Sequence, residues 1–274
     1  MAKGTRYPRH KGQASMTSPR RSSTRIRRAG SLLLALTFVA SAVPAQAFDD
    51  AQTKDIEGIV RNYLLTHPEV LIESMQALEA KRTAEETHSR RQTIETSRAA
   101  LESTPAGTAL GAKDSDVTLV EFFDYNCGYC KRAASDMEVL LDSDKKLRVV
   151  LKEIPVLGPA SEAASRVSLA FRSLKPESYG AFQRQLLASK AQVDEARALQ
   201  VAKDFGVEAS ALKPLLQSSS IQTELQQAGA LAMALGIDGT PSYVVGDEVV
   251  AGAVGADALA QKIANVRQCG KASC

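Results

Sequence analysis

The chain has 274 residues, with 34 Lys and Arg against 31 Asp and Glu, a formal net charge of +3 and only four cysteines, too few for a disulfide-stapled scaffold. Nine of the basic residues and none of the acidic ones lie in residues 1–47, leaving 34 − 9 = 25 basic against 31 acidic residues, about −6, in the remainder. The positive charge therefore belongs to the N-terminal segment and gives no case for a nucleic-acid partner.

Residues 1–47 have the layout of a secretory signal peptide: a basic region, the apolar run 32–42, and Ala45-Gln46-Ala47 as a small-residue cleavage site. The apolar run is too short for a permanent membrane span. The basic region is long, which makes Met16 an alternative start. Arg20-Arg21 is a twin-arginine candidate whose following residues depart from the usual ones.

Beyond the signal, residues 51–80 are predicted to be helical. Ile56, Ile59, Val60, Tyr63 and Leu64 follow one helix face. Thr66-His67-Pro68-Glu69 is predicted as a restart, with Thr66 as N-cap, Pro68 in the first turn and Glu69 as the capping acid. Val70, Leu71, Met75 and Leu78 continue the stripe. From Lys81 to Ser103 the pattern turns polar, with Ile94 and Leu101 nearly alone, as expected of a helix bridging parts through solvent. Thr104-Pro105-Ala106-Gly107 ends it. An apolar stripe reached through a polar connector points to self-association; the alternative is packing back on the main domain.

Two strands follow, at Val117–Phe123 and at Leu147–Ile154, with a helix from Lys131 to Leu141 between them. This spacing predicts a βαβ unit with parallel strands. Residues 159–235 are predicted as a run of helices. Ser242–Val245 and Glu248–Ala251 alternate around Gly246-Asp247, a hairpin signal, and Asp257–Val266 forms a last helix.

The chemistry resides in Cys127-Gly128-Tyr129-Cys130, placed where the first strand gives way to the helix. A Cys-x-x-Cys at such a junction is a thiol–disulfide redox centre. The helix N-terminus stabilises the Cys127 thiolate through its unpaired N–H groups and dipole. Cys127 is then the nucleophile and Cys130 the resolving thiol. A structural zinc site needs about four ligands, and no second pair lies nearby before Cys269, so neither a metal nor a cofactor is expected. His67 and His88 fit a helix cap and a solvated stretch. Cys269 and Cys274 form a small tail disulfide or, alternatively, an exposed thiol pair able to hold copper(I); the passive disulfide is favoured.

Residues 121–132, Glu-Phe-Phe-Asp-Tyr-Asn-Cys-Gly-Tyr-Cys-Lys-Arg, with Gly239-Thr240-Pro241-Ser242-Tyr243, resemble the DsbA-like periplasmic thiol–disulfide oxidoreductases. The segment from Val60 to Val70 resembles the ScsC (suppressor of copper sensitivity) type. The resemblance implies an α/β thioredoxin fold with a helical insertion, preceded by an N-terminal helical stalk. With the reading of the residues above, the chain is expected to divide into a signal peptide (1–47), a stalk and connector (48–106), a catalytic domain (107–268, insertion about 158–236) and a tail (269–274). The resemblance implies that Thr240-Pro241 is a cis-proline loop facing Cys127. It also implies that Glu121 and Lys152, on adjacent strands, form a buried pair relaying the proton of the resolving cysteine; the alternative is a surface salt bridge at a strand end. The expected activity is disulfide exchange with secreted cysteine-containing proteins in the periplasm. The Gly-Tyr pair resembles isomerases more than strong oxidants, giving a lean to isomerase or reductase with a DsbD/ScsB-like membrane thiol reductase as partner. A homo-oligomer, a trimer by resemblance, is expected through residues 51–80. The competing functions are a monomeric dithiol oxidase and a copper(I)-sequestering protein.

Overall fold

The structure is a computed structural model and describes residues 48–274. The signal-peptide expectation lies outside them. Two units divide at Asn62 and Tyr63. The described part of the first is the N-terminal portion of helix α1 (Asp50–Thr66), on which Ile56, Ile59 and Val60 are exposed.

The second unit is built on a five-stranded sheet with the order β1-β3-β2-β4-β5. Its strands are β1 (Leu110–Gly111), β2 (Val117–Phe123), β3 (Leu147–Glu153), β4 (Ser242–Val245) and β5 (Glu248–Ala251). β2 and β3 pair in parallel, with Glu121 opposite Leu151 and Phe122 opposite Lys152. β4 is antiparallel to β2, pairing Glu121 with Tyr243, and β1 is antiparallel to β3. Side chains alternate between the two faces of a strand. Leu119, Phe123, Val149 and Leu151 enter one core with α3 (Gly128–Ser143), the helical insertion and α9 (Ala256–Cys269). Val120, Phe122 and Val150 enter the other, against α2 (Glu69–Glu102) and α8 (Ser219–Ala234). Burial on both faces explains the nearly unbroken apolar runs of β2 and β3.

The insertion comprises α4 (Pro159–Leu174), α5 (Tyr179–Leu187), α6 (Glu195–Asp204), α7 (Ala209–Leu212) and α8. The β4–β5 turn needs Gly246, whose φ is +59° and where a Cβ would meet Val266 Cγ2 at 2.6 Å.

Two expectations are corrected. Thr66 closes α1, its hydroxyl donating to the Tyr63 carbonyl, and α2 begins without a side-chain cap bond. Nor does the polar helix bridge through solvent along its whole length. Ile94 and Leu101, seven residues apart on one face, are buried on the back of the sheet. Lys152 Nζ donates to the carbonyls of Ala100 (3.0 Å) and Ser103 (2.7 Å), and Arg148 donates to that of Glu102 (3.0 Å). These cations sit at the negative end of the α2 dipole. Lys152→Met is therefore expected to cost about 1–2 kcal/mol in urea unfolding and to leave the alkylation rate of Cys127 unchanged.

Candidate active site

β2 ends at Phe123, and the loop Asp124-Tyr125-Asn126 carries the chain into α3. Each loop residue is tied down. The buried Asp124 carboxylate accepts from Asn126 N–H (2.7 Å), the Ser161 hydroxyl (2.7 Å) and Leu157 N–H (3.0 Å). Asn126 exchanges two hydrogen bonds with the Val193 backbone and donates a third to Ser161. Lys131 donates to the Ser189 and Ala191 carbonyls. The insertion thus grips the loop that presents the cysteines, and α3 starts at a fixed place.

Cys127 caps α3: its sulfur accepts from Cys130 N–H at 3.4 Å. Its S–H donates to the Thr240 carbonyl at 3.1 Å, across the cis Thr240–Pro241 bond that faces it. Cys127 is 6% exposed, and Cys130, one turn on, is fully buried. Both are free thiols. Burial pushes the Cys127 thiol up, but the Thr240 hydroxyl and the N–H groups of Cys130 and Tyr129 together outweigh it, so the net direction is down. Burial drives the Cys130 thiol well above its ordinary range. The fold has therefore separated a thiol that ionises readily from one that keeps its proton. Outside the cleft, Tyr129 is 62% exposed with the Arg132 guanidinium 4.2 Å over its ring. Val156 and Leu157 are also exposed.

Glu121 is 2% exposed, and burial raises its pKa from the usual 4.5 to about 8. It faces α3 in a crevice of about 10 Å³, with room for one water, lined also by Ala134 and Met137. Those residues follow Cys130 by one and two turns. Lys152 does not join it. Glu121 stands opposite Leu151, so Lys152, one residue on, points to the other face and ends on α2. The expected acid–lysine pair does not form: among the described residues no ion pair involves Glu121, and Arg184, at the same crevice, is paired with Glu138.

A third buried acid, Glu153, escaped the sequence reading. Glu153 Oε1 accepts from the hydroxyls of Tyr125 (3.2 Å), Ser168 (2.7 Å) and Tyr179 (2.9 Å). Its Oε2 has no hydrogen-bond partner among the described residues. Burial raises its pKa to about 7, against the pull of Ser168, Tyr179 and Arg172. Arg172 is itself paired with Glu224. Tyr125 links this network to the cysteine loop. Its members are scattered from residue 125 to 179, and no local spacing marks them.

Among the described residues no cluster of His, Cys, Asp or Glu is suited to a metal, and no helix is long and apolar enough to cross a membrane. Cys269 and Cys274 are joined by a disulfide.

The DSBA-like thioredoxin domain family matches residues 118–264, over half of the chain, from the second residue of β2 to within α9. The chain belongs to that DsbA-like family. The copper resistance protein ScsC N-terminal domain matches residues 52–85, in α1 and the first half of α2. Over 141 residues the chain is 30% identical to the thiol:disulfide interchange protein DsbA of Bordetella parapertussis, covering 47% of this chain and 63% of that protein. The match thus spans less than two thirds of that relative's length. A thioredoxin-like oxidoreductase from Silicibacter pomeroyi superposes with a TM-score of 0.59 at 36% identity, covering 62% of this chain and 98% of that one. A linker-deletion variant of Proteus mirabilis ScsC gives 0.61 at 28% identity, over 82% and 99%. Within this DsbA-like frame the cysteine pair and the cis-proline loop lie at one end of the sheet, and the helical insertion grips the loop that carries the cysteines.

Proposed function

We propose that this DsbA-like chain is a thiol–disulfide oxidoreductase of the ScsC type, acting in the periplasm on exported cysteine-containing proteins, as isomerase or reductase. The observation that supports this reading best is the division of labour between the two sulfurs. Cys127 caps a helix, receives N–H donors and faces Thr240, while Cys130 lies buried and protonated behind it. The Cys127 thiolate attacks a substrate disulfide, and the departing substrate sulfur takes a proton from solvent. Cys130, giving its proton toward Glu121, then attacks Cys127 and releases the second substrate sulfur as a thiol. Two electrons pass to the substrate and a Cys127–Cys130 disulfide remains. In isomerisation the released substrate thiolate attacks elsewhere first, and the pair stays reduced. A DsbD/ScsB-like membrane thiol reductase would restore the dithiol. The exposed Tyr129, Val156 and Leu157 suit an unfolded, apolar segment near the nucleophile. Refolding of scrambled ribonuclease tests the reading: the wild-type chain restores activity, and a chain no better than free dithiol would sink it.

The same proposal includes a homo-oligomer formed through residues 51–80, with a trimer as the expected count. Ile59 and Met75 are 70% and 71% exposed, within apolar stripes that a soluble chain normally covers. Ile59→Glu with Met75→Glu is expected to reduce the molar mass by light scattering to that of one chain. It should also lower isomerase activity several-fold while leaving Cys127 alkylation unchanged. An unchanged mass in the double variant would remove this stripe as the interface. Because Ile94 and Leu101 belong to the core, the stalk proper ends before them.

A further inference from the structure

The segment after α9 is folded back on the sheet. Gly270, with φ +77°, turns the chain, and Ala272 is buried in the main core. Ala272 N–H donates to Asp247 Oδ1 at 2.9 Å, and Asn265 Nδ2 donates to the Ala272 carbonyl at 3.0 Å. The other oxygen of the same carboxylate, Asp247 Oδ2, lies 3.1 Å from Arg91 Nε of α2. Arg98 of α2 also donates to the Gly246 carbonyl at 3.3 Å. One aspartate thus joins the Cys269–Cys274 loop to the helix that leads to the stalk. Both cysteines are exposed.

This pair sits far from the Cys127 site. β4 runs antiparallel to β2, so the Gly246–Asp247 turn lies beside the start of β2, whereas Cys127 follows its end. About 20 Å of strand separate the two, and exchange between them requires two molecules. Their helix positions are opposite. Cys127 caps the N-terminus of α3, while Cys269 is the last residue of α9, where the dipole disfavours a thiolate. A pair whose thiolate is stabilised makes the more oxidising disulfide. On this ground a Cys269/Cys274 dithiol is the expected electron donor and a Cys127–Cys130 disulfide the expected acceptor.

We propose that Cys269 and Cys274 are a second redox pair, closed by the Cys127–Cys130 disulfide of another copy of this chain, and that closure fixes α2 on the β4–β5 turn. The proposal rests on the exchange reading above and names one of its substrates, the chain itself. A thiolate of the open pair attacks the Cys127 sulfur and displaces Cys130, which takes up a proton. The second sulfur of the pair then loses its proton and displaces Cys127, closing the Cys269–Cys274 bond. Two electrons and two protons move from one copy to the other, and the acceptor is left as a dithiol.

The test uses two full-length variants. The reporter, Cys127→Ser/Cys130→Ser, is reduced and desalted; the catalyst, Cys269→Ser/Cys274→Ser, is used as its disulfide. Thiol alkylation read by mass follows closure, with reduced ribonuclease as a parallel substrate. The expected result is reporter closure at least about tenfold above the rate without catalyst. A Cys130→Ala catalyst, pre-loaded as a mixed disulfide, should transfer to the reporter. Amide exchange of residues 92–102 should slow about tenfold on closure. Oxidation of ribonuclease without closure of the reporter would overturn this inference and leave the exchange reading standing. Failure on both substrates would overturn this inference, while the scrambled-ribonuclease assay above, run in parallel, decides the exchange reading separately. Closure with unchanged amide exchange would overturn the link to α2.

Discussion

Cys127→Ser is expected to bring disulfide exchange to background, a loss on the order of 10³-fold or more, whereas Cys130→Ser should stall the reaction halfway with substrates held on Cys127. The asymmetry follows from the environments of the two sulfurs. Cys127 has the N–H groups of the first α3 turn and the Thr240 hydroxyl to hold its negative charge. At Cys130 burial dominates and, with the neighbouring Cys127 sulfur, outweighs the contacts with Asp124 and Thr240 that favour ionisation. Iodoacetamide labelling across pH checks this directly. The Cys127 rate should be half-maximal at a lower pH than that of the same cysteine in the unfolded chain, and Cys130 should remain unlabelled in the folded chain. Equal labelling of both sulfurs would remove the basis for their assigned roles.

Glu121→Leu is expected to make the protein more stable and less active. The folded-state pKa of Glu121 is about 8, against the usual 4.5. Between these values the folded chain holds a proton that the unfolded chain has released. Stability therefore falls as pH rises from about 4.5 to about 8. At pH 7 the ionisation the fold forgoes amounts to roughly 3 kcal/mol. Urea unfolding should show the variant gaining stability of that order at pH 7 to 8 and little near pH 4.5. A shallower fall with pH should remain, since Glu153 titrates in the same direction at about 7. On the chemical side the variant loses the buried carboxyl that faces α3 from β2. Release of substrate from Cys127 should slow about 10²-fold, the usual size of a lost general base. Parallel stability curves for wild type and variant would mean that Glu121 is already solvated in the native state.

Most of the fold was legible because its main elements carry strong local patterns. Val117–Phe123 and Leu147–Glu153 are apolar enough to mark strands covered on both faces, and Gly246-Asp247 marks the hairpin. The cysteine pair was legible because its chemistry needs only a strand, a turn and a helix in sequence. What escaped depends on distance along the chain. β1 has two residues and takes its identity from pairing with β3. Ile94 and Leu101 looked isolated, yet a spacing of seven puts both on one helix face. The Glu121–Lys152 expectation placed the right strands side by side. It did not follow the parity of the register, which sends the two side chains to opposite faces. The Glu153 cluster assembles four residues from β3, the cysteine loop, α4 and α5, and nothing short of the folded chain brings them together.

The unbroken course of α2 makes it a ruler as well as a support. Its 34 residues extend about 50 Å, with the back of the sheet gripping one end and the exposed Leu71, Met75 and Leu78 at the other. Helical phase then dictates which way that apolar edge looks relative to the cysteine pair. One residue inserted between Glu85 and Arg90 would swing the edge by about 100° and advance it about 1.5 Å. Seven would return it to within about 20° of its first bearing, roughly 10 Å farther out. Orientation and reach of any catalytic domains joined along this edge are thereby set together, by residue count alone.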